Sequence, residues 1–306
     1  MLDLRAPAEN VATELRRGLE SSGFVILEGH GASPEVVECA YRAVGRFFEL
    51  PEAEKLRVAA GPDGQRGFTP FGVEHARDCT TPDLKEFFHA GREPPPGHPR
   101  RTQYQANRWP DAVPELRAAL LPLYSALECS AERMLEALAH AYGLPVHTFS
   151  AMLHEGNSIL RALHYPPVGE HARAGALRAA PHEDINLVTL LCGATDSGLQ
   201  IETPDGWRDI ETGRHQIVAD SGDMLRQVTG GVIPATTHRV VNPAGRADRS
   251  RYALPFFAHP PPECDLSVLP AFATPERLAA HPPITAGAFL SERLAEIGLA
   301  LIEPVA

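Results

Sequence analysis

Apolar residues in the first half of the chain recur at helical spacing. Val11, Leu15 and Leu19 share one face of a helix predicted over residues 7–19, and Gly23 supplies its stop. The run Phe24-Val25-Ile26-Leu27 predicts a short strand. Ser33 followed by Pro34 then opens a second helix to about Leu50, with serine as N-cap and proline in the first turn, and Pro51 opens another. From 61 to 110 the periodicity disappears among Gly, Pro, Arg and His, so long loops are expected, broken by one strand near 84–89. Leu116, Leu120, Leu123, Leu127, Met134, Leu135 and Leu138 define a long packed helix over 113–142, with a kink at Pro122 and a stop at Gly143.

Past Ser158 the pattern changes to short β-type runs separated by turn residues. Strands are predicted over 159–165, 185–191, 198–201, 207–210, 216–219, 223–228, 238–241 and 252–258, with turns at 203–206 and at Gly230-Gly231. Many short strands without intervening helices favour a two-sheet sandwich or jelly roll over a βαβ array. Residues 285–299 return to helix. The expected architecture is α+β in a single domain over 1–306. Residues 1–150 form a mainly helical part packed on a β core at 151–270, and 271–306 form a helical tail.

Composition narrows the function. The 28 basic and 39 acidic side chains leave a net charge of −11, and no basic run exceeds Arg16-Arg17 or Arg100-Arg101, which argues against nucleic acid as a partner. No apolar stretch is long enough to span a bilayer and the N-terminus has no signal pattern, so a cytoplasmic protein without membrane contact is expected, as a monomer or weak homo-oligomer. Cys39, Cys79, Cys129, Cys192 and Cys264 are odd in number and form no C-x-x-C, which predicts buried free thiols. The 25 glycines and 29 prolines agree with a turn-rich fold, and the 14 histidines raise the question of a metal.

Pro181-His182-Glu183-Asp184 contains a His-x-Asp. A His followed two positions later by an acid is expected roughly twice by chance at this composition, so context must decide. Read as a strand over 182–191, the segment turns His182 and Asp184 to one face and Glu183 to the other. Asn186 shares that face and is a candidate for substrate contact or for the core. His238, at the start of another predicted strand, is a candidate third ligand. Two imidazoles and one carboxylate leave three positions open on a metal, which suits a non-haem Fe(II) centre that activates dioxygen.

Together with Arg251-Tyr252-Ala253-Leu254-Pro255-Phe256-Phe257, these residues resemble the isopenicillin N synthase-like branch of the Fe(II)/2-oxoglutarate dioxygenases. The resemblance extends to Gly23-Phe24 with Gly29-His30-Gly31, Asp83-Leu84-Lys85-Glu86, Asn107-Arg108-Trp109-Pro110, Tyr165-Pro166-Pro167, Gly198-Leu199-Gln200 and Gly222-Asp223-Met224. It implies a distorted double-stranded β-helix, or jelly roll, with N-terminal and flanking helices. It also implies Fe(II) held by His182, Asp184 and His238, with 2-oxoglutarate and O2 as co-substrates. Arg251 would pair with the distal carboxylate of 2-oxoglutarate, helped by the Tyr165 hydroxyl. The implied reaction hydroxylates, desaturates or cyclises a small molecule and releases succinate and CO2.

Two positions depart from the family pattern. Ala253 stands where the family has serine, and Leu163 where plant members have asparagine, so two polar contacts to the oxo acid are missing. An Fe(II) oxidase that does not use 2-oxoglutarate therefore stays open, as does a non-catalytic binding protein on the same fold. Arg161, on the strand parity of Leu163 and Tyr165, points either to the pocket or to a salt bridge. Phe68 and Phe71, in Gly67-Phe-Thr-Pro-Phe-Gly-Val-Glu74, resemble a loop at the family's active-site mouth, with core packing as the alternative. His75, His89, His98, His154, His171 and His215 are expected in solvent, His164 on the far face of its strand, and Asp223 in a turn.

Overall fold

The computed structural model describes residues 1–61, 64–75, 81–169, 175–213, 215–242 and 248–296. Cys79, His171 and the end of the predicted tail helix lie outside the described residues; of the four described cysteines, all free, Cys192 is buried as expected but Cys39 and Cys129 are exposed. The chain opens with β1 (Leu2–Asp3), α1 (Ala8–Ser22), β2 (Phe24–Glu28), α2 (Pro34–Phe48) and α3 (Glu52–Leu56). Gly23, at φ 65°, ends α1 in the left-handed conformation that glycine adopts without strain, and the Ser33 hydroxyl accepts from the Val36 N–H to start α2. Within the predicted loop region lie β3 (Gly67–Thr69) and β4 (Glu86–Gly91). α4 (Glu115–Ala141) then runs through Pro122.

The second half supplies β5 (Ile159–Tyr165), β6 (Ala179–His182), β7 (Val188–Cys192), β8 (Leu199–Thr203), β9 (Gly206–Asp209) and β10 (Ile217–Ser221). α5 (Asp223–Val228), β11 (His238–Val240), β12 (Arg251–Ala258), α6 (Pro275–Ala280) and α7 (Ala286–Glu296) follow. Eight strands form one sheet in the order β1-β2-β10-β7-β12-β5-β4-β3, and four form a second in the order β6-β11-β8-β9. This is an α+β distorted jelly roll. Both faces of the large sheet are buried, so alternate residues of a strand serve two cores. On β12, Leu254, Phe256 and Ala258 join the core shared with α1, α2 and α4, whereas Ala253 faces the small sheet with Leu163, Tyr165, Leu199 and Val240.

Two predicted strands are corrected. Residues 223–228 form the helix α5, because a short apolar run carries no period able to separate strand from helix. Its first turn has a task a strand would not perform: the N–H groups of Gly222, Asp223 and Met224 donate to the carbonyls of Leu187, Asp184 and Asn186 at 3.0, 2.8 and 3.1 Å. Residues 182–191 are likewise not one strand. His182 ends β6 in the small sheet, β7 starts at Val188 in the large sheet, and Glu183 to Leu187 cross between them. β6, Ala-Ala-Pro-His, has no β-branched residue to announce it. Among the described residues no helix is long and apolar enough to cross a membrane.

Candidate active site

A cavity of about 410 Å³ lies between the two sheets. Its wall includes the odd-numbered side chains of β5 and β12, and the antiparallel register sets Arg251 opposite Tyr165 and Ala253 opposite Leu163. His182, Asp184 and His238 stand on the opposing side. β11 pairs with β6 so that His238 lies opposite His182, and their ring centroids are 4.4 Å apart. Asp184 arrives from the crossing segment that α5 pins. The sharing of a face by His182 and Asp184 thus comes from the crossing between sheets and not from strand alternation.

The three side chains offer ligand atoms that all lie within 4.8 Å of one another. Each imidazole is oriented through its other nitrogen: Nδ1 of His182 donates to the Ala180 carbonyl at 2.8 Å, and Nδ1 of His238 to the Thr236 carbonyl at 3.0 Å. A carbonyl only accepts, so each Nδ1 carries a proton, and in the neutral ring the Nε2 lone pair is left for a ligand. These Nε2 atoms lie 3.9 and 4.0 Å from Asp184 Oδ1. Asp184 Oδ2 accepts from the Thr189 hydroxyl, which accepts in turn from Asn186 Nδ2 at 2.8 Å. Burial and the neighbouring His238 push the His182 imidazole down to about 4, so it stays neutral at pH 7, the form that binds a cation. Two imidazoles, one carboxylate and fixed outer hydrogen bonds fit a divalent transition metal.

At one end of the cavity Arg251 is only 1% exposed. Its Nε donates to the Asp196 carbonyl at 3.1 Å, its guanidinium carbon lies 5.1 Å from the Tyr165 ring centroid, and one terminal nitrogen is buried with no partner. A buried guanidinium nitrogen without an acceptor suits an anionic ligand that brings one. Close to it Arg178 is fully buried, with no hydrogen-bond partner at Nε and with one terminal nitrogen 4.0 Å from Asp196 Oδ2.

The remaining predicted pocket residues divide. Arg161 lines the cavity. Asn186 is fully buried and does not line it; the Asn186 amide supports Thr189. Phe68 is core, edge-on to Phe47 and beneath Lys55, because β3 turns it toward α2. Phe71 is 37% exposed and outside the lining, since the chain leaves the sheet after Thr69. His164 faces away, bonded to Glu86 and stacked on Tyr252. His89, expected in solvent, is buried on β4 beside Arg161, and Asp223 heads α5 and pairs with Arg226. Sequence reasoning missed Glu74, Lys85, Asp220 and His259 as cavity residues. For His259 a signal existed, since it continues the odd-numbered face of β12.

A methyl group on Gly222 would lie 2.2 Å from the Asn186 carbonyl oxygen and 2.8 Å from that of Asp184. Gly222→Ala should therefore lower stability by about 1–3 kcal/mol through overpacking, and shift Asp184 as well. Chemical denaturation with and without Fe(II) measures both effects, and an unchanged midpoint in both states would contradict the packing described.

Comparison with known proteins agrees with this geometry. The profile described as non-haem dioxygenase in morphine synthesis N-terminal matches residues 1–112, and that of the 2OG-Fe(II) oxygenase superfamily matches residues 156–260. A 2-oxoglutarate-Fe(II) type oxidoreductase of Aspergillus fumigatus is 30% identical over 302 residues, covering 95% of this chain and 88% of the relative. Among solved structures, a 2OG-Fe(II) oxygenase family protein of Caulobacter crescentus is 38% identical with a TM-score of 0.86 over 96% of both chains. A full-length Neurospora crassa protein in complex with alpha-KG and thymine is 28% identical, with a TM-score of 0.83 over 96% of this chain and 95% of that one. The chain belongs to the 2OG-Fe(II) oxygenase superfamily. It is an enzyme of the 2-oxoglutarate-dependent dioxygenase type, with Fe(II), 2-oxoglutarate and O2 as its cofactor and co-substrates.

Proposed function

We propose that His182, Asp184 and His238 bind the Fe(II), that Arg251 and Tyr165 hold the distal carboxylate of 2-oxoglutarate, and that a small organic molecule is oxidised at the Arg161 end of the cavity. The observation that carries the reading is the convergence of three metal-compatible ligand atoms and an unpartnered buried guanidinium nitrogen on one cavity. The thymine bound by the Neurospora relative supports a small-molecule substrate.

When bound, Fe(II) with 2-oxoglutarate supplies the activation of O2 that oxidises the substrate. The side chains bind and orient. Thr189 and the first-turn amides of α5 hold Asp184 in place, and the Ala180 and Thr236 carbonyls accept from Nδ1 of each histidine and so fix each ring with Nε2 toward Asp184. Arg251, rigid and always charged, sets the direction of the oxo acid. The apolar wall of Leu163, Leu199 and Ala253 keeps the space beside it dry.

Protein loaded with Fe(II) under argon and then exposed to air should convert 2-oxoglutarate to succinate slowly even without substrate. Omission of Fe(II) should stop the conversion. Fe(II)-independent succinate formation, or none under any condition, would count against the proposed site.

A further inference from the structure

The cavity end away from Arg251 carries a hydrogen-bonded cluster that neither iron nor 2-oxoglutarate uses. Arg161 Nε donates to His89 Nε2 at 2.6 Å, and one terminal nitrogen donates to Glu74 Oε1 at 3.1 Å. His89 Nδ1 lies 2.8 Å from the Gly64 carbonyl, so the ring proton sits there and Nε2 is free to accept. The guanidinium carbon packs 4.2 Å from the Phe87 ring centroid and 5.1 Å from that of Phe257. Arg161 is therefore fixed before any ligand arrives, with its second terminal nitrogen uncommitted.

Two further groups are left unfilled. Glu74 is 8% exposed and lines the cavity; its Oε1 also meets Lys85 Nζ at 2.7 Å, but its Oε2 has no partner. His259 is 8% exposed, lines the same end, and has an unpartnered Nδ1. Buried polar atoms without partners are rare, and two at the Arg161 end of the cavity point to a ligand there. Lys85 also pairs with Asp83 at 2.8 Å, so the four charges in mutual contact, Lys85, Arg161, Glu74 and Asp83, cancel. A carboxylate ligand would satisfy Arg161 but would face the free Glu74 oxygen. An uncharged ligand with adjacent C=O and N–H satisfies both.

We propose that Arg161, Glu74 and His259 form a substrate subsite for an uncharged amide or imide, whose carbonyl accepts from Arg161 and whose N–H donates to Glu74. The assignment rests on the reading of this cavity as the oxygenase active site. His259 adds a group that can donate or accept at a further polar atom of the ligand.

Protein loaded with Fe(II) and 2-oxoglutarate is kept under argon, so that no turnover occurs, and titrated calorimetrically with thymine, 2-pyridone, 1,3-dimethylthymine and benzoate. Thymine or 2-pyridone should bind, dimethylthymine about tenfold or more weakly than thymine for want of a hydrogen bond to a charged acceptor, and benzoate not at all. Glu74→Gln should weaken thymine by about tenfold and leave dimethylthymine unchanged, a change in selectivity that a general loss of structure does not produce. His259→Phe should also weaken thymine, and it carries the test if E74Q does not fold. Binding by neither cyclic amide, benzoate binding as tightly as thymine, or an equal loss for both thymines in E74Q would each overturn the proposal. If the loaded protein takes up no 2-oxoglutarate, the oxygenase reading of the cavity fails instead, so the two failures are distinguishable.

Discussion

Asp184→Ala is expected to abolish Fe(II) binding at micromolar metal and, with it, 2-oxoglutarate turnover. The proposed site has three protein ligands, and Asp184 is the sole carboxylate among them, so its loss would remove both a bond and the charge that offsets the cation. The effect should exceed that of weakening its support. Thr189→Val deletes the hydroxyl that donates to Asp184 Oδ2 and leaves Asn186 Nδ2 unpartnered; changes of this kind cost about 10- to 100-fold in metal affinity. Equilibrium titration with Fe(II) under argon orders the two variants without recourse to activity. D184A binding Fe(II) as wild type does would remove the basis for the proposed centre.

Arg251→Gln should raise the half-saturating 2-oxoglutarate concentration by about 100-fold or more, since leaving a buried carboxylate without its charged partner costs about 3–5 kcal/mol. Turnover at saturating 2-oxoglutarate should fall much less, because Arg251 does not touch the metal ligands. The opposite change is available at the neighbouring position. Ala253 shares the cavity-facing side of β12 with Arg251, and the cavity lies open beside it. Ala253→Ser restores the family's hydroxyl and should lower the half-saturating concentration by about tenfold, the value of a hydrogen bond to a charged group. Steady-state kinetics in 2-oxoglutarate measures both, and an R251Q enzyme with unaltered dependence would mean that the carboxylate binds elsewhere.

The two departures from the family pattern face each other. Leu163 and Ala253 are paired across β5 and β12, next to the Tyr165–Arg251 pair, so the positions of the lost asparagine and serine form one apolar patch in the cavity wall. Both losses were legible in the sequence, but their pairing was not, because register is set by contacts between distant strands. The helices were legible where long amphipathic runs carried caps, as in α1, α2 and α4. β3, β6 and α5 were not: each is a short segment whose form is decided by what it packs on. The same limit governs the site. His182, Asp184 and His238 stood out by residue type, while Glu74, His89 and His259 are ordinary until the sheet gathers them around Arg161. Phe68 and Phe71 show the converse, since a matching loop motif did not reveal that one faces α2 and the other solvent.

The most direct test of one cavity holding both Fe(II) and 2-oxoglutarate is an anaerobic optical titration of the Fe(II)-loaded protein with 2-oxoglutarate. A keto acid that chelates Fe(II) gives a weak charge-transfer band, and the band should grow to saturation at one equivalent per chain in the wild type. It should need far more 2-oxoglutarate in Arg251→Gln and be absent in Asp184→Ala. No band in the wild type at saturating 2-oxoglutarate, or a band that survives in D184A, would contradict the site proposed for this chain.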